Sequence, residues 1–308
     1  MKKTLKVICS LMAVLLAFSF SACKKEGNKA EKPKAEKTAK AEKSKKGAES
    51  LKENPASDFK YTMTDDGAGV KITAYIGKSP KIVIPAEIEG LPVLEVAGLV
   101  ELDHEYGDLY WNQWISEWVY PKNNITITHI VFPDSVRKTG IEDGFAGPGL
   151  SLRDYDALEY VKLPAGIKEV EDKDQRDAAT GFVFSKAKKS PLTGKGIPVN
   201  SLPQFIDCDN LKTVIIPEGI KAIPTFEGSK SLESITLPST VEYVPTNAFN
   251  MCSSLKEIII PENVEKIAFY SKDEYGNSDQ KQFIGTNLNL TTQAKLKQLG
   301  YEGSFGAY

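Results

Sequence analysis

Along much of this chain, apolar and polar positions follow one short rule that ends each time at a proline. In "SLKEIIIPENVEKI", Ser254 to Ile267, the apolar positions Leu255, Ile258 and Ile260 lead to Pro261, and Val264 and Ile267 follow it. "NLKTVIIPEGIKAI" and "SLESITLPSTVEYV" repeat the arrangement. A brief run rich in β-branched residues predicts a strand. Proline has no N–H for the ladder, so it predicts the place where that strand stops. Such prolines fall at Pro85, Pro133, Pro164, Pro217, Pro238 and Pro261; the last two intervals are 21 and 23 residues, the earlier ones longer.

Aligned on the proline, the apolar residues form columns. Ile127, Leu158, Leu211, Leu232 and Leu255 stand six positions before it. Ile82, Ile130, Val161, Val214, Ile235 and Ile258 stand three before, and Ile84, Phe132, Leu163, Ile216, Leu237 and Ile260 one before. Ile88, Val136, Ile167, Ile220, Val241 and Val264 come three after; Val170, Ile223, Val244 and Ile267 come six after. Phe205, Phe226 and Phe249 each precede the next leucine by six residues. One such unit cannot bury its apolar face alone, but stacked units place equivalent residues about 4.8 Å apart and share a continuous core. The pattern predicts a mainly β solenoid of about 23-residue repeats, with the proline where each coil turns a corner.

A stack has two ends to cover. Phe59, Tyr61 and Met63 alternate, "TDDGAG" turns, and Val70, Ile72 and Ala74 alternate again, which predicts an N-terminal β-hairpin cap. Ala294, Leu296 and Leu299, followed by Gly300, predict a C-terminal helical cap started by Thr291 or Thr292.

Three insertions break the period. Val100 to Pro121 holds all three tryptophans, Trp111, Trp114 and Trp118, with Tyr106, Tyr110 and Tyr120. Tyr110, Trp114 and Trp118 recur every four residues, the spacing of one helical face. Trp and Tyr are enriched in binding hot spots, so Tyr110, Trp111, Trp114 and Trp118 are candidate protein-binding residues; packing of that face onto the repeats is the competing reading. Residues 171–204 form a polar excursion containing the basic "SKAKKSPLTGKG", and 270–282 a polar loop. Within the strands, residues two and four before each proline must point out of the coil. They give a second candidate binding face that includes His129, Val131, Tyr160, Ile215, Thr236 and Ile259. Val83, Val131, Ile215 and Ile259 would make an apolar stripe along it, unless β-branched residues are there only because they suit strands.

Charge separates the chain into parts. Residues 1–23 carry +3 and residues 24–56 carry +5, so the whole-chain −2 leaves −10 on residues 57–308. An acidic body excludes a nucleic-acid-binding role for it. Lys2, Lys3 and Lys6 precede the apolar run Val7 to Phe20, too short for a membrane span and of signal-peptide form. "FSAC" resembles a bacterial lipobox, with Phe20 where leucine is usual; residues 1–22 then form a lipoprotein leader and Cys23 becomes the acylated N-terminus. Several acyl chains would hold it stably to a membrane. Residues 23–56, in which "KAEK" recurs at Lys29, Lys34 and Lys40, lack apolar periodicity and read as a disordered tether. Residues 57–308 form the repeat domain.

The columns resemble the bacterial leucine-rich repeats of the BspA-like (treponemal) type, whose unit reads A-F-x-x-C-x-x-L-x-x-I-x-I-P-x-x-V-x-x-I. "NAFNMCSSLKEIIIPENVEKIAF" carries the resemblance most closely; it is strong from Phe205 to Phe269 and partial from Lys60 to Val170. It implies a leucine-rich-repeat surface or envelope lipoprotein that binds other proteins or extracellular matrix, with adhesion as the usual role. It implies no catalytic residues, cofactor or small-molecule substrate. The residues agree. With only His104 and His129, no Ser–His or Cys–His arrangement stands out. The acidic neighbours of His104 (Glu101, Asp103, Glu105, Asp108) suit a solvated loop better than a metal site. Cys208 and Cys252 occupy equivalent points of two repeats and read as core fillers. The expected location is the bacterial envelope, lipid-anchored at the outer membrane or cell surface. A periplasmic structural lipoprotein contacting other envelope components is the alternative.

Overall fold

The computed structural model describes residues 51–99, 126–140, 150–171 apart from 168, 201–269 and 280–306, together with short strands between 110 and 119 and between 175 and 199. They are mainly β, with one α-helix. In chain order, β1 (Phe59–Met63) and β2 (Val70–Tyr75) lead to β3 (Lys81–Val83), then β4 (Glu87–Ile88) and β5 (Leu91–Val96). The first insertion contributes β6 (Tyr110–Asn112) and β7 (Glu117–Val119). Next come β8 (His129–Val131), β9 (Lys138–Thr139), β10 (Ser151–Arg153) and β11 (Tyr160–Lys162). The polar excursion holds β12 (Val170–Glu171), β13 (Gln175–Arg176), β14 (Val183–Ser185) and β15 (Pro198–Val199). The last repeats give β16 (Gln204–Ile206), β17 (Thr213–Ile215), β18 (Ser234–Thr236), β19 (Tyr243–Val244), β20 (Glu257–Ile259) and β21 (Ala268–Phe269), before helix α1 (Leu290–Gln298).

The proline-terminated runs form parallel ladders. β3, β8, β11 and β17 make a four-stranded sheet whose central residues Ile82, Ile130, Val161 and Val214 lie in register. β18 and β20 pair likewise, Ile235 against Ile258. Each strand stops where its proline removes a donor. The predicted inward columns are buried along their described length, from Ile82, Ile130 and Leu211 at 0 % exposure to Ile127 at 8 %. Only Ile216 and Ile260 are half-buried, packed against the core edge. Each fully buried Ile or Leu contributes about 1.5–3 kcal/mol relative to exposure, so the columns supply the cohesion.

A second ladder runs behind the first. Leu152 pairs with Phe205, and the rings of Phe205, Phe226 and Phe249 stack at 5.6 and 5.8 Å, nearly parallel. The stack continues to Phe283, 5.8 Å from Phe249. The 270–282 insertion displaced this fourth member from the reading frame of the sequence pattern. Three residues on from each ring lie Cys208, Ser229, Cys252 and Thr286, all buried. The Cys252 thiol donates to the Phe226 carbonyl oxygen at 3.0 Å. Both cysteines are free, and burial pushes each thiol up to about 12.

Between the ring-stack and thiol positions the backbone turns left-handed at five successive places among the described residues: Asp154, Asp207, Gly228, Met251 and Gly285 have φ of 57°, 55°, 74°, 62° and 75°. That turn aims each N–H at the next repeat, as in Asp207 N to Glu227 O at 2.8 Å and Met251 N to Ile284 O at 2.8 Å. Glycine adopts this conformation freely and aspartate tolerates it, whereas methionine is held there by its neighbours.

At the N-terminal side, β1 and β2 form the expected antiparallel hairpin, joined through β2 to β5. Residues 51–56, placed in the tether by composition, hydrogen-bond to the repeat domain. Asn54 N donates to Val83 O at 2.9 Å, and Val83 N donates to Asn54 Oδ1 at 2.7 Å, so one residue takes the place of a neighbouring strand on β3. At the C-terminal side, α1 is started by Asn289, not by Thr291 or Thr292; its side chain accepts the Thr292 N–H at 2.8 Å. Gly300 (φ 108°) ends it, with Tyr301 N bonded to Leu296 O at 3.0 Å and Gly300 N to Lys297 O at 3.1 Å, a Schellman arrangement. Tyr301 then packs edge-on against Phe269 and Phe283.

Candidate functional site

Strand alternation places two side chains of each three-residue strand on the outer face of the row. One column reads Lys81, His129, Tyr160, Thr213, Ser234 and Glu257; the other reads Val83, Val131, Lys162, Ile215, Thr236 and Ile259. The expected stripe of Val83, Val131, Ile215 and Ile259 falls in the second column, with Lys162 and Thr236 between its members. Register sets Lys162 between Val131 and Ile215, and Thr236 lies on the strand between those of Ile215 and Ile259. Val83 is buried, because the Asn54 segment lies along its strand. Val131 and Ile215 are half-buried and Ile259 is 41 % exposed.

The aromatic centre of the face is a stacked pair. His129 and Tyr160 rings lie 5.5 Å apart at 26°. The His129 Nδ1 is 2.9 Å from Thr128 Oγ1, and that hydroxyl donates to the Pro80 carbonyl at 3.1 Å. With the hydroxyl hydrogen directed to Pro80, the arrangement suits a tautomer with the proton on Nδ1. Burial, then the Lys81 charge, lowers the imidazole below its ordinary value, with Glu159 opposing. Tyr160 points outward in register yet is 8 % exposed, and burial raises its phenol. Ion pairs between repeats flank the row: Glu159–Lys212 at 3.1 Å, Glu233–Lys256 at 3.8 Å and Lys162–Asp134 at 2.8 Å.

The ladder is interrupted once. β17 and β18 belong to different sheets, with no hydrogen-bonded pairing between them. The other faces cross that step intact, through the Phe205–Phe226 stack and the Ala222–Tyr243 bridge. The seam is therefore confined to the outer row, beside Ile215.

The aromatic insertion is not helical where it is described. β6 and β7 form an antiparallel pair with Trp111 opposite Trp118 and Tyr110 opposite Val119. Alternation in a hairpin, not a four-residue helical repeat, relates these residues; Trp114 lies outside the described residues. So do Cys23 and the leader, most of the tether, the His104 cluster and nearly all of the basic run in the excursion. Among the described residues no group of three His, Cys, Asp or Glu could hold a metal, and no helix is long and apolar enough to cross a membrane.

Short parallel strands stacked at constant register, each followed by a buried aromatic or leucine on a second ladder, define a leucine-rich-repeat protein. Residues 202–291 match the BspA type leucine rich repeat region in six copies, so this stretch is built of BspA-like leucine-rich repeats. Among solved structures, the leucine-rich-repeat protein TpLRR of T. pallidum is 23 % identical with a TM-score of 0.43, over 83 % of this chain and 100 % of that one. A leucine-rich cell surface protein of Faecalibacterium prausnitzii A2-165 is 19 % identical with a TM-score of 0.42, over 78 % of this chain and 48 % of the other. A leucine-rich-repeat protein of Bacteroides ovatus ATCC 8483 is 17 % identical, with a TM-score of 0.27, over 77 % and 58 %. No curated protein matches the sequence. Leucine-rich repeats are in general non-enzymatic modules for protein interaction, since stacking creates an extended surface and no enclosed reaction site.

Proposed function

We propose that this is a non-enzymatic lipoprotein of the bacterial envelope, anchored through Cys23 at the cell surface, which binds another protein or an extracellular-matrix ligand as an adhesin. One observation carries the binding reading: the outer strand row lines up residues of successive repeats in register, over β3, β8, β11 and β17 and again over β18 and β20. Packing does not require that order on the outer side, because the opposite side chains of the same strands fill the core. The paired Trp111 and Trp118 of the insertion offer a second contact surface. The lysine-rich tether would carry the domain away from the membrane.

Two measurements test this. Ile215→Lys and Ile259→Lys are expected to keep the melting temperature and to abolish ligand binding; unchanged binding by both would remove the strand row from the reading. Proteolysis of intact cells is expected to cleave the protein. Full protection until the envelope is broken would instead support a periplasmic structural role. Cys23→Ser is expected to abolish incorporation of labelled palmitate.

A further inference from the structure

The strand row constrains what can lie on it, if it is the binding face. Its flanking charges are already engaged within the protein, by Glu159–Lys212 and Glu233–Lys256 along one margin and Lys162–Asp134 across the row. Between β8 and β20 the outward residues are otherwise an imidazole, a phenol, hydroxyls and β-branched side chains: His129, Val131, Tyr160, Thr213, Ile215, Ser234 and Thr236. The ring of His129 belongs to this uncharged set, since burial and the adjacent Lys81 favour its neutral form. Lys81 and Glu257 stand at opposite ends of their column and leave the middle without net charge.

Size is the second constraint. With strands about 4.8 Å apart, four steps from β8 to β20 span about 19 Å, and the two outward positions of one strand are about 7 Å apart. The strip thus offers about 130 Å², against about 800 Å² per partner in a standard globular interface. A second copy of this chain laid face to face would bury no more than that strip. An extended segment, at about 3.3 Å per residue, crosses it in about six residues.

We infer that the strand row binds an uncharged, extended segment of a partner polypeptide, about six residues long, lying across the strands. Alternating apolar and hydroxyl or amide side chains match the isoleucine and threonine positions. The inference rests on the reading of this row as the binding face. It predicts association without electrostatic steering.

A phage-displayed library of random octapeptides, selected on the full chain, tests it. Selected sequences are expected to be uncharged, with affinities that change by less than about twofold between about 50 and 500 mM salt. Ile215→Lys and Thr236→Lys, checked for unchanged melting temperature, are expected to weaken them by more than about tenfold. Selection of charged peptides, salt-sensitive and lost in the same variants, would overturn the uncharged partner while leaving the row as a binding face. Peptides indifferent to both substitutions, or no selected peptides, would overturn the inference and the strand-row reading together.

Discussion

Phe226 offers the strongest test of how the repeats are held together. Its side chain has no solvent exposure, and its ring sits 5.6 Å from Phe205 and 5.8 Å from Phe249, at interplanar angles of 6° and 16°. Phe226→Ala removes a buried ring and leaves a cavity between two rings fixed by their own ladders, so a loss of about 3–5 kcal/mol is expected. Phe226→Leu keeps most of the apolar volume and deletes two stacked pairs, worth about 0.5–1.5 kcal/mol each, for a loss of about 1–3 kcal/mol. The assay is urea denaturation followed by circular dichroism, arranged as a double-mutant cycle. Phe226→Leu with Phe249→Leu is expected to show a coupling of about 0.5–1.5 kcal/mol. Phe226→Leu with Phe59→Leu, whose ring lies tilted against Tyr75 in the N-terminal hairpin, is expected to be additive within about 0.5 kcal/mol. A loss below about 1 kcal/mol for Phe226→Ala, or equal coupling to Phe249 and Phe59, would refute the stacked column as a source of cohesion.

Four further outcomes follow from local geometry. Cys208 and Cys252, buried with thiols pushed up to about 12 and separated by the Ser229 repeat, are expected to resist thiol reagents in the native protein and both to label on unfolding without reductant; failure of either to label would place a disulfide where the register allows none. Met251→Gly is expected to stabilise the protein by about 0.5–1 kcal/mol by relieving a left-handed backbone under an exposed side chain. Gly228→Ala is expected to destabilise it, because a Cβ there would strike the Asp207 carboxylate at φ 74°; the opposite signs can be read from urea midpoints. His129 has its folded value below the ordinary 6.5, so its neutral form adds stability above that pH, lost as pH falls from 6.5 toward the lowered value. The wild type is therefore expected to lose more stability than His129→Gln between pH 7.5 and 5, and equal losses would show that the imidazole titrates normally.

The sequence by itself determined the core. The columns at fixed offsets from Pro85, Pro133, Pro164, Pro217, Pro238 and Pro261 are the residues found buried, because alternation along one strand is a local covalent property and stacking only repeats it. The same alternation predicts His129, Val131, Tyr160, Ile215, Thr236 and Ile259 for the outer side, where Thr236 and Ile259 are exposed and Tyr160 is buried. Contacts between distant segments decided the rest. Asn54 replaces a strand on β3 and buries Val83. Phe283 rejoins the ring stack across an insertion that hid its period. The left-handed turn at Met251 follows from the hydrogen bond its N–H makes to Ile284, not from any preference of methionine. Trp111 and Trp118 face each other because β6 and β7 pair antiparallel, whereas their one-dimensional spacing suggested a helix. A periodic pattern names the residues that must meet equivalent residues. Which segment closes an edge, interrupts a column or bridges an insertion depends on the free energy of contacts that exist only once the repeats have stacked.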